Sequence, residues 1–150
     1  MHPTAVKVAE RLRDRGLDIE VLELADSTRT AAEAAAAVDA EVGQIVKSLV
    51  FTDDGEELFL VLCAGDRRVD TGLFGGARAA RADEVRAATG FAIGGVPPMG
   101  HDRPLPTVVD ESLLRFDTVW CAAGTPHAVF SVPTQALIAA ISDPDVRQVG

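Results

Sequence analysis

The sequence predicts an α+β fold in which a mixed β-sheet is wrapped by helices. Helix-like and strand-like segments are interleaved along the chain, which favours strands packed against helices. Two neighbouring strand-like segments are separated by a tight-turn signal, which indicates an antiparallel hairpin rather than a pure series of β-α-β units. Both of those strands are apolar on both faces, so we expect the sheet to be covered on two sides.

The length and composition are those of a globular domain. At 150 residues the chain is predicted to form one domain, residues 1–150, with no need of disulfides or a structural metal. Hydrophobic residues make up 47% and charged residues 25%, which excludes a disordered or fibrous class. The apolar runs are far shorter than the roughly 20 residues of a membrane helix, and the N-terminus lacks a signal-peptide core. We expect no membrane partner and a cytoplasmic location.

The first third of the chain predicts two helices and a strand. Apolar residues at helical spacing predict a helix over residues 4–15, with Gly16 directly after its end. The alternating run DIEVLEL predicts a strand over residues 18–24. The alanine-rich run over residues 31–38 predicts a helix whose N-cap is Thr30.

The rest of the chain predicts the hairpin and a series of short elements. The segments QIVKSLVF and LFLVLCA predict two strands joined by a turn at DDGE, residues 53–56. ADEVRAAT predicts a short helix closed by Gly90. After it we expect strands over residues 106–110, 118–124 and 128–132, a helical turn over residues 111–116, and a last helix over residues 133–141.

The segment GGVPPMGH, residues 94–101, predicts one sharply bent and rigid loop. Glycine reaches backbone angles that other residues avoid, whereas proline restricts φ and removes an N–H donor. Such a loop is either a connector between two elements or a shaped wall of a functional site. We expect this loop to be exposed.

Lys47 is the most unusual polar residue of the predicted strands. It shares a strand face with Ile45, Leu49 and Phe51, and neither face of this strand is plainly exposed to solvent. A lysine in such a strand pairs with a carboxylate, extends to water at a sheet edge, or has a shifted pKa. The sequence therefore leaves Lys47 open as an edge residue or as a functional cation.

The other chemically reactive side chains form no known catalytic pattern. Cys63 and Cys121 lie in apolar runs and are interpreted as core residues rather than redox or metal groups. His101, and His127 in GTPH, are each either ordinary surface or core residues or parts of a site. No nucleophile elbow, P-loop or dinucleotide-binding fingerprint is present, and the histidines have no zinc-ligand spacing. We expect neither a metal nor a cofactor.

The charge pattern limits the way in which a nucleic acid could bind. A net charge of −9 argues against broad adhesion to nucleic acid, and DNA is not an expected partner. An RNA partner would need a local basic patch. The candidate contacts are Arg67, Arg68, Arg78 and Arg81, with Arg86 nearby, and the alternative is that these arginines are ordinary solvated surface.

Five segments in order resemble a known family. GQIVKSLVF, GDRRVD, GGVPPMGH, VVDESLL and AAGTPHAVF are similar to segments of the YbaK-type aminoacyl-tRNA editing domains, relatives of the editing insertion of prolyl-tRNA synthetase. The resemblance extends from Thr4 to Ile141. It implies a mixed α/β fold around a curved sheet, and hydrolysis of the ester that joins a wrong amino acid to its tRNA.

The resemblance also implies roles for particular residues. Lys47 matches the strand lysine of the family's substrate pocket and is the implied catalytic residue. Ser48 stands where the branch that clears alanine from proline tRNA tends to carry asparagine, so the amino acid removed is left open. The implied substrate-binding residues are the loop Gly94, Gly95, Val96, Pro97 and Pro98 and the turn Gly124, Thr125, Pro126 and His127.

The function implied by the resemblance is trans-editing of a small amino acid on a non-cognate tRNA, with proline tRNA as one candidate. In this family the attacking water is positioned largely by the ribose hydroxyl of the substrate, which accounts for the missing nucleophile pattern. The implied partners are the acceptor end of an aminoacyl-tRNA and, as a second candidate, an aminoacyl-tRNA synthetase. Two alternatives stay open: a non-catalytic module that binds tRNA or a synthetase, and a small-molecule esterase or amidase.

Overall fold

Helices and strands alternate through residues 1–25, 30–53 and 57–150, the part of the chain that the computed structural model describes. These residues form four α-helices, α1 (Pro3–Asp14), α2 (Ala31–Val38), α3 (Ala82–Thr89) and α4 (Thr134–Ala140). They also form eight strands, β1 (Val21–Glu23), β2 (Val46–Thr52), β3 (Leu58–Ala64), β4 (Arg78–Ala79), β5 (Thr107–Asp110), β6 (Thr118–Ala122), β7 (Ala128–Pro133) and β8 (Asp145–Arg147). Short 3₁₀ helices cover Val42–Gln44, Thr71–Phe74 and Glu111–Arg115.

The strands of the described residues form two sheets. The larger sheet has the order β4-β2-β3-β5-β8, with antiparallel pairing among β4, β2 and β3 and parallel pairing from β3 to β5 and β8. The smaller sheet has the order β1-β7-β6 and is antiparallel. An isolated parallel bridge between Ile45 and Trp120 connects them. The predicted α+β class with a mixed sheet is confirmed.

Both faces of the larger sheet are buried, as the apolar strands predict. On β3, Leu60 and Leu62 pack in the same cluster as helix α1, whereas Val61 and Cys63 face a second cluster with Phe51. Successive side chains of a strand point to opposite faces, so one apolar strand contributes to two cores.

The two cysteines are core residues, as predicted. Cys63 and Cys121 are buried free thiols. Burial raises the pKa of the Cys63 thiol to about 11 and also raises the pKa of Cys121. A thiol with a raised pKa has little thiolate at neutral pH and is correspondingly unreactive.

The helix ends follow local capping signals. Helix α2 begins directly after Thr30, whose Oγ1 accepts a hydrogen bond from the Glu33 N–H at 3.1 Å. Gly16 and Gly90 follow α1 and α3 with positive φ values of 89° and 83°, a region that favours glycine after a helix end. These three helix boundaries agree with the sequence prediction to within one residue.

The short strands differ from the prediction. The predicted strand over residues 18–24 is reduced to β1, and β4 and β8 were not predicted. Each of these strands has three residues or fewer, too short for an alternating pattern to be recognised. Thr52 pairs with Leu58 as a hairpin requires, but residues 54–56 of the predicted DDGE turn lie outside the described residues.

Candidate functional site

A pocket of about 270 Å³ lies between the two sheets. Its walls come from α2, β2, β6 and β7 and from two loop segments, residues 93–96 and 125–126. Most of the lining side chains are aliphatic, and Trp120, the single tryptophan of the chain, is among them. A concave apolar pocket with a few polar groups is the usual form of a small-ligand site.

One wall of the pocket is an open edge of β2. β2 pairs with β3 along its whole length, but its other side pairs with β4 only near its end and, among the described residues, with β6 only through the bridge from Ile45. On that side the Ala80 N–H donates to the Val50 carbonyl at 2.9 Å. Since main-chain groups alternate along a strand, the N–H and C=O of Ser48 point to the same side. Ser48 therefore offers the pocket a main-chain donor and acceptor.

Lys47 lines the same pocket with a half-buried side chain. Its register partner on β3 is Cys63, and its Nζ donates to the main-chain carbonyl of Arg67 at 2.5 Å. Within the described ranges, no carboxylate forms an ion pair with Lys47. Since no described carboxylate pairs with it, this ammonium is a candidate partner for an anionic group bound at the pocket.

The two loops that the sequence singled out are in direct contact. A Cβ atom added to Gly95 would lie 2.7 Å from the Gly124 carbonyl oxygen and 2.9 Å from the Thr125 Cα. Gly124 itself has a φ of 98°, and a Cβ there would lie 2.8 Å from Thr4 Cγ2 on α1. Glycine is required at both positions because two backbones and a helix meet there. The front of this assembly presents Gly94, Val96, Thr125 and Pro126 to the pocket.

The expected exposure of the Gly/Pro loop is wrong. Gly94 is exposed, but Gly95, Val96, Pro97 and Pro98 are all buried. Pro97 and Pro98 do not line the 270 Å³ pocket, but they directly follow Val96, which does. The apolar surface of the two prolines is buried because the loop folds inward onto the domain, which local composition does not reveal.

His101 is a satisfied, largely buried residue. Its Nε2 lies 2.7 Å from the Pro97 carbonyl oxygen. Burial lowers the pKa of the imidazole. Because a carbonyl oxygen only accepts, Nε2 carries the hydrogen of this bond.

His127 is exposed and lies on the other side of the Gly-Thr-Pro-His turn. It does not line the 270 Å³ pocket, but it lines a neighbouring open pocket of about 790 Å³ together with His2 and Gly124. Thr125 and Pro126 line both pockets, so the turn separates them. His127 is fixed by its main chain, since its carbonyl accepts from the Leu24 N–H at 2.6 Å.

The four candidate arginines form two separate pairs. Arg67 and Arg68 are exposed and follow the end of β3, and Arg67 provides the carbonyl that holds Lys47. Arg78 and Arg81 lie near the other end of β2, about 20 Å away at the usual strand rise. The structure therefore does not bring the four side chains into one patch.

The second arginine pair is already engaged by acidic side chains. Arg78 donates to both carboxylate oxygens of Glu84, at 3.0 and 3.2 Å, and Arg81 lies 3.4 Å from Asp83. The hydrogen bonds from Arg78 lower the pKa of Glu84 to about 2. Arg67 has only a 3.9 Å contact with Asp66, and Arg68 forms no ion pair within the described residues. Among the described residues, Arg67 and Arg68 are thus the pair less engaged by carboxylates.

Several residues of the site were not recognised in the sequence. Ala31 and Ala34 of α2 form part of the pocket wall, although the alanine run indicated only a helix. The Ser48 Oγ is buried and has no hydrogen-bond partner in the part of the chain that the structure describes. Arg11 reaches from α1 to the Gly100 carbonyl at 2.7 Å. Ser48 itself was named through the family resemblance, but its unpaired hydroxyl depends on the packing around it, and no local signal indicates the contact of Arg11.

Metal and membrane features can be stated for the described ranges only. In residues 1–25, 30–53 and 57–150, no cluster of three or more His, Cys, Asp or Glu side chains is arranged to hold a metal ion. None of the helices in these ranges combines the length and apolar character that crossing a bilayer requires.

Comparison with known proteins gives one consistent result. Residues 25–140 match the family model of the aminoacyl-tRNA editing domain. A solved structure proposed to be a trans-editing enzyme for prolyl-tRNA synthetase is 49% identical, superposes with a TM-score of 0.90, and is matched over 99% of this chain and 98% of its own. The crystal structure of the hypothetical protein APE2540 is 34% identical over 95% of this chain and 98% of its own, with a TM-score of 0.85.

One curated protein sequence is also similar to this chain. The uncharacterized protein YwhH of Bacillus subtilis is 33% identical in an alignment of 123 residues that covers 79% of this chain and 78% of YwhH. The family match covers β2, both pocket loops and β7, the segments from which the pocket is built. The chain therefore belongs to the aminoacyl-tRNA editing domain family.

Proposed function

We propose that residues 1–150 form a single editing domain that hydrolyses the ester of mischarged aminoacyl-tRNA in trans. The observation that carries the proposal is the convergence of Lys47, the open edge of β2 and the two predicted loops on one 270 Å³ pocket. Ligand pockets for drug-sized molecules have volumes of about 300–1,000 Å³, so this pocket suits a small aminoacyl group. The proposed substrate is a small amino acid on a non-cognate tRNA.

The proposed reaction is attack of water on the ester carbonyl carbon. The carbonyl oxygen becomes an oxyanion, the bond from this carbon to the ribose oxygen breaks, and the ribose oxygen takes up the proton released by the water. The products are the free amino acid and a deacylated tRNA. The water is positioned by the neighbouring ribose hydroxyl, so the protein contributes binding and electrostatic stabilisation rather than a nucleophile.

Lys47 is the proposed catalytic cation. Its ammonium has two further hydrogens beside the one given to Arg67, and these are directed at the oxyanion or at the phosphate of the 3′-terminal nucleotide. The N–H of Ser48 is a second donor on the same wall. A cation and an N–H held beforehand by a strand stabilise developing charge without reorganisation during the reaction.

The proposed size filter, or sieve, is the pocket wall that admits small aminoacyl groups and excludes larger ones. It is formed by backbone and by short side chains. Gly94 and Val96 line one side of the pocket, and Thr125 with Pro126 lines the adjoining side. The prolines that follow this wall are buried, and the backbones of the two loops are in contact. The wall therefore moves little when a larger acyl group presses against it. Small aminoacyl groups therefore enter, and larger ones are excluded by overlap.

The test is a deacylation screen on a panel of charged tRNAs. Proline tRNA carrying alanine, serine, cysteine or proline is included because a close structural relative is proposed to act for prolyl-tRNA synthetase. We expect hydrolysis of one or more small aminoacyl esters and little of the prolyl ester, and the screen is repeated with the synthetase added. Binding of tRNA without hydrolysis would instead show a non-catalytic module. Hydrolysis of simple aminoacyl esters but of no charged tRNA would show a small-molecule esterase.

A further inference from the structure

The rear of the Gly/Pro loop is held by two side chains that take no part in lining the pocket. His101 Nε2 donates to the Pro97 carbonyl at 2.7 Å, and Arg11 Nη1 donates to the Gly100 carbonyl at 2.7 Å. Arg11 lies on α1, 89 residues before Gly100. Neither bond is a helix or sheet bond, and neither donor touches the pocket.

These two bonds act on the same segment as the pocket wall. His101 holds the carbonyl of Pro97, the residue directly after Val96. Val96 itself lines the pocket. Pro98 and Met99, which lie between the two bonded residues Pro97 and Gly100, are buried, as is Pro97. Outward movement of Val96 would therefore carry the Pro97 carbonyl away from His101 and leave it unpaired in a buried place.

Arg11 is itself fixed by a carboxylate. Its Nη1 also donates to Asp102 Oδ1 at 2.9 Å, and Lys7 lies 3.6 Å from the same oxygen. Asp102 is tied to α3, because its N–H donates to the Thr89 carbonyl at 3.0 Å. The loop is thus connected to α1 and α3, and its position is set by two helices rather than by its own sequence.

We propose that His101 and Arg11 are positioning residues that set the size limit of the pocket by holding its Gly94–Val96 wall in place. This inference rests on the proposed function for the substrate class. The selectivity between small and large aminoacyl groups then depends on the two donors that hold the wall as well as on the residues of the wall. Removing either donor allows the wall to move outward. Larger aminoacyl groups then enter the pocket, while the hydrolysis of small ones is little reduced.

The test compares the selectivity of four variants. His101→Phe removes the donor, His101→Gln keeps an N–H donor, Arg11→Met removes the charge and donors, and Arg13→Met is the matched control on an exposed face of α1. The quantity measured is the ratio of kcat/KM for a small and a large aminoacyl-tRNA. We expect His101→Phe and Arg11→Met to lower this ratio by about tenfold, within the range that one methylene changes in an apolar pocket. His101→Gln should recover most of the ratio, and Arg13→Met should leave it unchanged.

A binding measurement keeps the inference independent of the chemical step. Trp120 is the only tryptophan and lines the pocket, so its fluorescence reports binding of uncleavable 3′-aminoacyl-adenosine amides of graded size. The variants should bind the large amides more tightly relative to the small ones than the parent does. Shifted binding without hydrolysis of any tRNA would support the wall inference and reject the proposed function. Unchanged ratios in folded variants would overturn the inference while leaving the function intact, and absence of any amide binding to the parent would overturn both.

Discussion

Lys47 is the residue whose environment is hardest to explain by folding alone. It lies in a strand opposite Cys63 of β3, and among the described residues its ammonium has a main-chain carbonyl rather than a carboxylate as its partner. An ion pair inside a fold is commonly structural, whereas an uncompensated cation at a pocket is a candidate for function. Replacing Lys47 would therefore leave no carboxylate of the described residues without an ion-pair partner.

Replacement of Lys47 by methionine tests its proposed role. Methionine preserves the length of the stem and removes the charge, so Lys47→Met should fold normally, with an unchanged or higher urea midpoint. Deacylation should fall by roughly 10²-fold or more, the scale found on removing one oxyanion donor. Single-turnover kinetics and urea unfolding are the measurements, with Lys47→Arg as the comparison that retains a charge. Parent-like rates in folded Lys47→Met would show that the active site is assigned wrongly.

At the scale of elements, helix α1 supports both loops of the pocket. Its residue Thr4 packs so near Gly124 that no side chain would fit there, and Arg11 donates to the carbonyl of Gly100. The Gly/Pro loop and the Gly-Thr-Pro-His turn then meet at Gly95 and Gly124. Because the helix and the two loops are packed against one another, we expect substitutions behind the wall to affect the pocket.

The two prolines connect fold stability with selectivity. Because Pro97 and Pro98 are buried, the double change to alanine should lower the free energy of unfolding by about 2 kcal/mol, through lost packing and a more flexible unfolded chain. It should also lower the ratio of small to large aminoacyl-tRNA hydrolysis, since the backing of the wall is weakened. Urea unfolding and paired deacylation rates are the measurements.

The control for this prediction is Pro104→Ala. Pro104 is exposed and follows the same loop, so its replacement should change both quantities little. An equal loss of activity on every substrate in the Pro97 and Pro98 variant, with no change in ratio, would contradict the sieve and leave the prolines a purely structural role.

At the scale of the whole molecule, charge governs the encounter with RNA. The net charge of −9 repels a polyanion, so tRNA affinity must come from a limited surface. Arg67, whose carbonyl accepts the hydrogen bond from Lys47, and its neighbour Arg68 are exposed, whereas Arg78 is bound to Glu84. We therefore propose Arg67 and Arg68, rather than Arg78 and Arg81, as the contact for the acceptor end.

The salt dependence of tRNA binding separates the two arginine pairs. Replacing Arg67 and Arg68 by glutamine should weaken binding and make the slope of log K against log salt shallower by about 1.4, the value for two phosphates of a single strand. The same change at Arg78 and Arg81 should have a smaller effect on the slope, because their charges already face carboxylates. Unchanged affinity and slope in the first variant would show that Arg67 and Arg68 are not the contact surface.

The sequence by itself determined the elements that depend on neighbours in the chain. Helix α2 begins at its Thr30 cap and α3 ends at Gly90 because capping involves groups a few residues apart. The burial of Cys63 and both faces of β3 followed from continuous apolar runs, whose burial any compact fold requires. The ordered motifs also indicated the family, which the comparisons confirm.

Only the tertiary structure decided how these elements enclose a pocket. The burial of Pro97 and Pro98, the bond from Arg11 to Gly100 and the separation of the four arginines all depend on packing between segments distant in sequence. The division into two sheets, joined through Ile45 and Trp120, has the same origin and creates the open edge beside Ser48. Local propensity describes a residue and its near neighbours, whereas a pocket wall is defined by what packs behind it, and that is settled only when the whole chain is folded.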